Sequence, residues 1–258
     1  MSAASPPREF LHPRYWLLWA GLGLLRLLAW LPQILRVFLG ARLGDVAYLF
    51  GRKRRRIVER NLALCFPQLA EPERQALLRR HYRLSGVAAL GVGLVWWASV
   101  ARLERLVRFR DREHYDRALA SGQRVILLAP HFLGLEIGGL RLASERLVVS
   151  MYKRPRNALI DWCMRRNRER FGSVMIERNA HLKSLIRLMR EGRPFYYLPD
   201  EDPGGASHVF VPFFGVPTAT ITALARLAKM ADAVVIPCFT RLLPGASGYE
   251  IVFQPPLA

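Results

Sequence analysis

One short stretch limits the choice of fold more than any other: Arg124-Val-Ile-Leu-Leu-Ala-Pro-His131-Phe-Leu-Gly-Leu-Glu136-Ile-Gly. Residues 125–129 are a continuous apolar run, β-branched at its start and of a length that suits a buried strand. Pro130 has no N–H to give a sheet ladder and marks the strand's end. Glu136, Ile137 and Leu140 open a helical spacing, so His131 falls in the turn between strand and helix. Turns at the carboxyl end of a buried strand are where open α/β sheets bind their ligands. An imidazole and a carboxylate five positions apart can meet across such a turn, the carboxylate fixing the tautomer and steadying the imidazolium. The alternative is a structural histidine beside a helix-start glutamate favoured by the helix dipole. Spacing leaves both open.

The rest of the chain alternates as an α/β protein should. Downstream, Leu147–Met151, Val174–Ile176, Phe195–Leu198, Ala233–Phe239 and Tyr249–Phe253 read as strands. Asn157–Phe171, His181–Arg190 and Thr220–Met230 read as helices, and a Gly- and Pro-rich loop runs from Pro199-Asp200 to Val216. Upstream, Asn61–Phe66 and Glu71–Leu84 are helical, with Pro72 near a helix start. Gly86–Ala101 is apolar but short for a membrane span, and reads as a helix packed on the sheet. Val107–Asp116 is charged and leads to a helix closing at Ser121-Gly122.

Residues 1–13 read as a loose lead-in, residues 14–40 as a membrane-anchoring helix and residues 41–258 as the main domain. Tyr15–Leu35 is almost wholly apolar and, as one helix, would be about 31 Å long, enough to cross a hydrocarbon core. Arg26 near its middle costs roughly 2.5–3.5 kcal/mol, and the leucines return roughly 3–6 kcal/mol. Insertion is feasible but marginal, and Arg26, Trp30 and Gln33 on one face also permit a helix lying in the interface. No small-residue cleavage site follows, so it does not read as a signal peptide.

A hydrophobic share of 52% beside 23% charged residues points to a protein living at a membrane surface. The net charge of +19 is mostly arginine and attracts phosphates, anionic headgroups or acidic proteins. Arg36, Arg42 and the run Arg52-Lys53-Arg54-Arg55-Arg56 follow the apolar segment, which by the positive-inside tendency puts the main domain in the cytoplasm. Without a zinc spacing, an RNP-like aromatic pattern or a basic zipper, nucleic acid is not an expected partner. Cys65, Cys163 and Cys238 lie far apart and have no metal or redox spacing, as expected of small buried hydrophobes in a reducing compartment.

His131-Phe-Leu-Gly-Leu-Glu136 resembles the H-x4-D/E motif of the late acyltransferases of lipid A biosynthesis. Text similar to that family runs from about Arg52 onward. It includes Arg60-Asn-Leu-Ala-Leu-Cys-Phe-Pro67, Tyr152 to Trp162, Tyr197-Leu-Pro-Asp-Glu-Asp202 and Val209-Phe-Val-Pro-Phe-Phe-Gly215. The resemblance implies an acyltransferase-like α/β fold with a mixed central sheet flanked by helices, to which the apolar Tyr15–Leu35 segment adds an N-terminal hydrophobic membrane helix. It implies transfer of a fatty acyl group from acyl carrier protein to a hydroxyl of a lipid A precursor, at the cytoplasmic face of the inner membrane. Members of the family continue with further C-terminal helices, so a short member or a fragment is expected here.

In that reading His131 is the general base, worth roughly 10²–10⁴-fold, and Glu136 orients it. Arg168 matches a family arginine and would hold an acceptor phosphate or support the acidic residues. Asp200 matches a family acid after Tyr-x-x-Pro and would polarise Arg168 or position the acceptor. Arg154 and Arg178 are further phosphate-contact candidates. No G-x-S-x-G elbow is present and no cysteine has a catalytic context, so direct transfer without an acyl-enzyme, metal or resident cofactor is expected. The rival readings are an acyltransferase for glycerol-3-phosphate, lysophosphatidate or a related lipid, and a non-catalytic basic membrane adaptor. The remaining histidines, including His181 and His208, show no partner spacing.

Overall fold

The computed structural model describes residues 6–178, 182–200 and 208–257. His181 and the Glu201–Asp202 end of the Tyr-x-x-Pro motif lie outside the described residues. The central strand forms as its sequence predicts. β2 (Arg124–Leu128) is buried through its middle and has parallel neighbours on both sides, β8 (Ala233–Leu242) and β5 (Phe195–Tyr197). Burial on both faces explains why it reads as one apolar run without alternation.

β3 (Val149–Tyr152) and β4 (Val174–Glu177) extend the parallel set beyond β5. On the other side β9 (Tyr249–Phe253) returns antiparallel to β8, and β1 (Val107–Arg110) pairs parallel to β9. The sheet order is β1-β9-β8-β2-β5-β3-β4, a mixed but mostly parallel sheet. Neighbouring residues on a strand feed opposite cores, as strand geometry requires. Leu127, Tyr196 and Val148 enter one cluster, and Ile126, Tyr197 and Val149 the other.

The first face is covered by α4 (Glu71–Trp97), α5 (Val100–Leu106), α7 (Leu135–Glu145) and α8 (Ala158–Arg168), and α6 (Glu113–Ala120) contributes Tyr115 and Ala118. α9 (Leu182–Arg190) and α10 (Ala223–Ala231) cover the second. α6 stops where the sequence predicts: Gly122 is left-handed (φ 73°) and Gln123 N–H reaches back to the Ala118 carbonyl at 3.1 Å. α4 absorbs both the Glu71–Leu84 segment and most of the Gly86–Ala101 run.

The N-terminal expectation needs correction. The apolar segment is not one helix but two, α1 (Trp16–Trp30) and α2 (Gln33–Phe50), with Leu31 and Pro32 extended between them. Proline denies the helix a donor and pushes the residue before it out of the α region. The 15 residues of α1 reach about 22 Å, short of a hydrocarbon core of about 30 Å. Among the described residues no helix is long and apolar enough to cross a membrane. The lead-in also packs: Phe10 is buried, with its ring 6.0 Å from Trp162, and its carbonyl accepts from Trp19 Nε1 at 2.7 Å. α2 lies directly on α4, backbone against backbone. A β-carbon on Gly44 would sit 2.2 Å from the Tyr82 carbonyl oxygen, and one on Gly86 2.1 Å from that of Gly40.

Part of the expected Gly- and Pro-rich loop is instead a separate antiparallel hairpin of β6 (His208–Phe213) and β7 (Val216–Ile221). Its two turn residues, Phe214 (φ 52°) and Gly215 (φ 77°), are both left-handed, the geometry of a tight hairpin turn. For a residue with a β-carbon this conformation costs about 1–2 kcal/mol.

Candidate active site

The parallel strands β2, β5, β3 and β4 all end on the same edge of the sheet, and the residues just beyond each end meet there. Ala129 N–H donates to the Tyr197 carbonyl at 2.8 Å and carries the β2–β5 pairing one step past the ladder. That contact sets His131 and Asp200 side by side although they are 69 positions apart. One Asp200 oxygen accepts from the His131 backbone N–H at 2.7 Å, and the other lies 2.6 Å from the imidazole Nδ1. A carboxylate only accepts, so Nδ1 carries the ring proton and Nε2 is the basic nitrogen.

Glu136 stands on the first turn of α7, where the helix dipole favours a carboxylate. Arg168 forks onto it from the last turn of α8: Nε donates to Oε2 at 3.0 Å and Nη2 to Oε1. The expectation that Glu136 orients His131 is therefore revised. Among the described residues the carboxylate hydrogen-bonded to the imidazole is that of Asp200, and both Glu136 oxygens accept from Arg168. Asp200, expected to polarise Arg168 or position the acceptor, is bonded to His131 rather than to Arg168.

α7 can approach the sheet closely enough to make this geometry because Gly134 and Gly138 face Thr240 of β8. A β-carbon on Gly138 would fall 1.9 Å from Thr240 Oγ1. Beneath α7, Tyr196 is buried and its hydroxyl donates to the Leu135 carbonyl at 3.4 Å. Burial, with Cys238 and Glu136 adding to it, pushes this phenol well above its ordinary range, so it stays a donor.

His131, Glu136 and Arg168 line a cavity of about 750 Å³. Its depth is apolar, with Val95, Leu140, Ala143 and Val148 all buried. Toward solvent it is lined by the exposed cations Lys153, Arg178 and Arg226 and by Met230. Arg178, one of the phosphate-contact candidates, lines this mouth and lies close enough to Tyr197 to offset part of the rise that burial gives that phenol. Arg154 does not line the cavity: it pairs with Asp161 at 3.3 Å and Glu177 at 3.9 Å. Lys153 and Arg226 were not anticipated. Lys153 directly follows β3 as Arg178 follows β4, and that position past a parallel strand was the available signal.

The site pairs an oriented imidazole with a fixed carboxylate–guanidinium couple, an apolar hollow and a cationic mouth. It suits proton abstraction from a hydroxyl beside a long apolar chain and an anionic group. Thiol chemistry is disfavoured, because burial pushes Cys163 up to about 11 and Cys238 up to about 12 and neither lines the cavity.

The family described as bacterial lipid A biosynthesis acyltransferase matches residues 5–258. A lipid A biosynthesis lauroyltransferase of Escherichia coli (strain K12) is 36% identical over 247 residues, 95% of this chain and 80% of that protein. A lipid A biosynthesis acyltransferase of Haemophilus influenzae is 35% identical over 248 residues, 96% of this chain and 78% of that protein. A palmitoleoyltransferase of the same pathway in E. coli is 32% identical over 249 residues, 96% and 81% of the two chains.

Proposed function

The chain belongs to the bacterial lipid A biosynthesis acyltransferase family, and from that premise we propose that it transfers a fatty acyl chain from the thioester of acyl carrier protein to a hydroxyl of a lipid A precursor, with His131 as general base. The observation that carries this reading is the Asp200 carboxylate holding His131 by both its backbone N–H and Nδ1 at the rim of an apolar cavity.

The steps follow from that geometry. The acceptor hydroxyl gives its proton to His131 Nε2 as its oxygen attacks the thioester carbonyl. Asp200 stabilises the imidazolium that forms. The tetrahedral intermediate then collapses: the carbon–sulfur bond breaks, the thiolate leaves, and the imidazolium returns the proton to it. The products are an ester and the free carrier thiol. The thioester supplies the activated carbonyl, so the reaction needs no resident cofactor or metal. Arg168, neutralised by Glu136, braces the site between α7 and α8, and Lys153, Arg178 and Arg226 are suited to the phosphates of a lipid A precursor.

Membrane association, as we propose it, is in-plane. Trp16, Leu17, Leu27, Trp30, Ile34 and Phe50 of the α1–α2 pair are each at least 64% exposed. A broken pair of helices of that character suits burial in the headgroup and upper acyl region rather than a span. The arginines of α3 (Arg52–Cys65) then face the anionic cytoplasmic leaflet, each adding about 1 kcal/mol of attraction.

The test is direct. Purified chain is incubated with radiolabelled acyl carrier protein thioester and a tetra-acylated lipid A precursor, and lipid product is followed with released thiol. One ester per thiol is the expected result. Thiol release without acylated lipid, or acylation of lysophosphatidate in place of the glycolipid, contradicts the assignment.

A further inference from the structure

We propose that the β6–β7 hairpin is a second membrane-contacting element, separate from α1–α2, which dips its Phe213–Phe214 apex into an anionic leaflet and leads a lipid chain from there to the cavity. The proposal rests on the reading of a lipid acceptor given above and names how that acceptor arrives.

Among the described residues the strands of the hairpin pair with each other and not with the main sheet, and every residue of β6 is exposed. Its register puts Val209, Val211 and Phe213 on one face and Phe210 and Pro212 on the other. Phe210 is 68% exposed and Phe213 59%, so both faces show large apolar side chains. A folded protein docking on such a strand pair would cover one face. A fluid apolar medium covers both, which is why the occupant we assign is lipid.

The apex says the same. Two left-handed positions in a hairpin turn are normally filled by Asn-Gly or Gly-Gly, yet here the first is Phe214, held at φ 52° and half exposed. The chain tolerates an unfavourable backbone conformation at an aromatic residue in the hairpin's turn. That ring is not adrift: it packs edge-on against Phe66 at 5.1 Å, directly beyond α3. α3 itself presents Lys53, Ile57, Arg60 and Leu64 in helical steps on one exposed face, mixing cations with apolar side chains as a helix lying on an anionic surface does. Hairpin apex and basic helix are thus joined by direct contact into one surface, with charge complementary to anionic lipid.

The route inward follows from the same register. The pair His208↔Ile221 lies at the base of the hairpin and both residues line the cavity. Phe210↔Ala219 and Pro212↔Pro217 continue that face outward to the apex, a track of roughly 20 Å at strand rise.

The experiment uses the full chain with F214W and vesicles of phosphatidylglycerol carrying bromine on the acyl chains. Quenching is read as the difference from the parent protein, whose own tryptophans set the background. The control is E191W, at the opposite, amino edge of the sheet just before β5. The expected result is quenching of the indole at 214 at least threefold above that at 191, lost in purely zwitterionic vesicles. F210D is then expected to raise the acceptor KM in vesicles at least tenfold, with an unchanged melting temperature showing that it folds. Equal quenching at 214 and 191 overturns the proposal. So does shielding of the 214 indole by a second copy of the chain or by acidic carrier protein without vesicle quenching. An unmoved KM in folded F210D overturns the route. Quenching at 214 in a chain that acylates no lipid upholds the insertion and removes only the acyl-transfer reading.

Discussion

Asp200→Asn separates the two carboxylates of the site most sharply. In the parent, one oxygen takes the His131 backbone N–H at 2.7 Å and the other the Nδ1 proton at 2.6 Å. Asparagine keeps one acceptor. If its carbonyl oxygen stays on the backbone N–H, its NH₂ faces Nδ1 and drives the ring proton to Nε2, the wrong tautomer for a base. A charge-assisted hydrogen bond is worth about 1.5–3 kcal/mol, or roughly 10–150-fold in rate. The side chains of His131 and Asp200 are 39% and 40% exposed, so solvent screening draws the purely electrostatic part toward the lower end. Tautomer inversion adds to it and has a ceiling of about 10⁴-fold in enzymes with a comparable carboxylate–histidine couple. D200N should therefore lower kcat by at least about 10²-fold, with KM for either substrate changed much less. Glu136→Gln leaves the Asp200–His131 pair intact and should cost less in kcat. Steady-state acyl transfer measured for both variants decides between them. A D200N enzyme within threefold of the parent, beside an E136Q enzyme that has lost its activity, would falsify the assignment of Asp200 as the group that orients the base.

Other expectations concern the scaffold. Gly138→Ala drives a methyl into Thr240, at a cost of about 1–3 kcal/mol less up to about 1 kcal/mol of helix propensity. The melting temperature should fall by about 2–8 °C, and Thr240→Ala in the same chain should restore most of it; no recovery argues against the close α7–β8 contact. Arg36 is 2% exposed, and neither of its terminal nitrogens has a hydrogen-bond partner among the described residues. Burial lowers its pKa from the ordinary guanidinium range to about 10, opposed by the nearby Tyr249. A cation whose folded pKa is depressed burdens the fold wherever both states are charged, so the penalty is full below pH 10 and is relieved as the pH rises from there toward the ordinary guanidinium range. Arg36→Met should raise stability at pH 7 by about 1–4 kcal/mol in denaturant titration, an advantage that narrows above pH 10; a destabilised variant would mean that Arg36 has a partner in solution. Burial pushes the Cys163 thiol up to about 11 and that of Cys238 up to about 12, so both are held as unreactive thiols at pH 8. Pulse alkylation read by mass spectrometry should label the half-buried Cys65 first and the other two only on unfolding; equal labelling of Cys238 contradicts the packing described.

How much of this was readable in the chain depends on how local the information is. β2, the turn at His131 and the start of α7 are written in consecutive residues, and the structure follows them closely. The partners of the site are not local. Asp200 reaches His131 because β5 lies beside β2, and Arg168 reaches Glu136 across 32 positions because α8 runs back toward α7. Five-residue spacing suggested a His131–Glu136 pair, and sheet order replaced it. The hairpin was hidden for a related reason. Pro212, Pro217 and Gly215 argue against a central strand, but a two-stranded ribbon consists entirely of edges, where proline is tolerated. β1 escaped because four residues with alternating arginines read as a charged connection. In the N-terminal segment hydropathy outweighed Pro32, although proline's local effect was visible in the sequence and decided the break.

The central claim is that His131 removes the proton of the attacking hydroxyl. Its most direct test is a single-turnover measurement of acyl transfer by His131→Gln, with donor and acceptor both saturating so that binding does not enter. Loss of the base should slow the chemical step by about 10²–10⁴-fold while the variant still binds both substrates. A His131→Gln enzyme that transfers its acyl chain as fast as the parent would contradict the account.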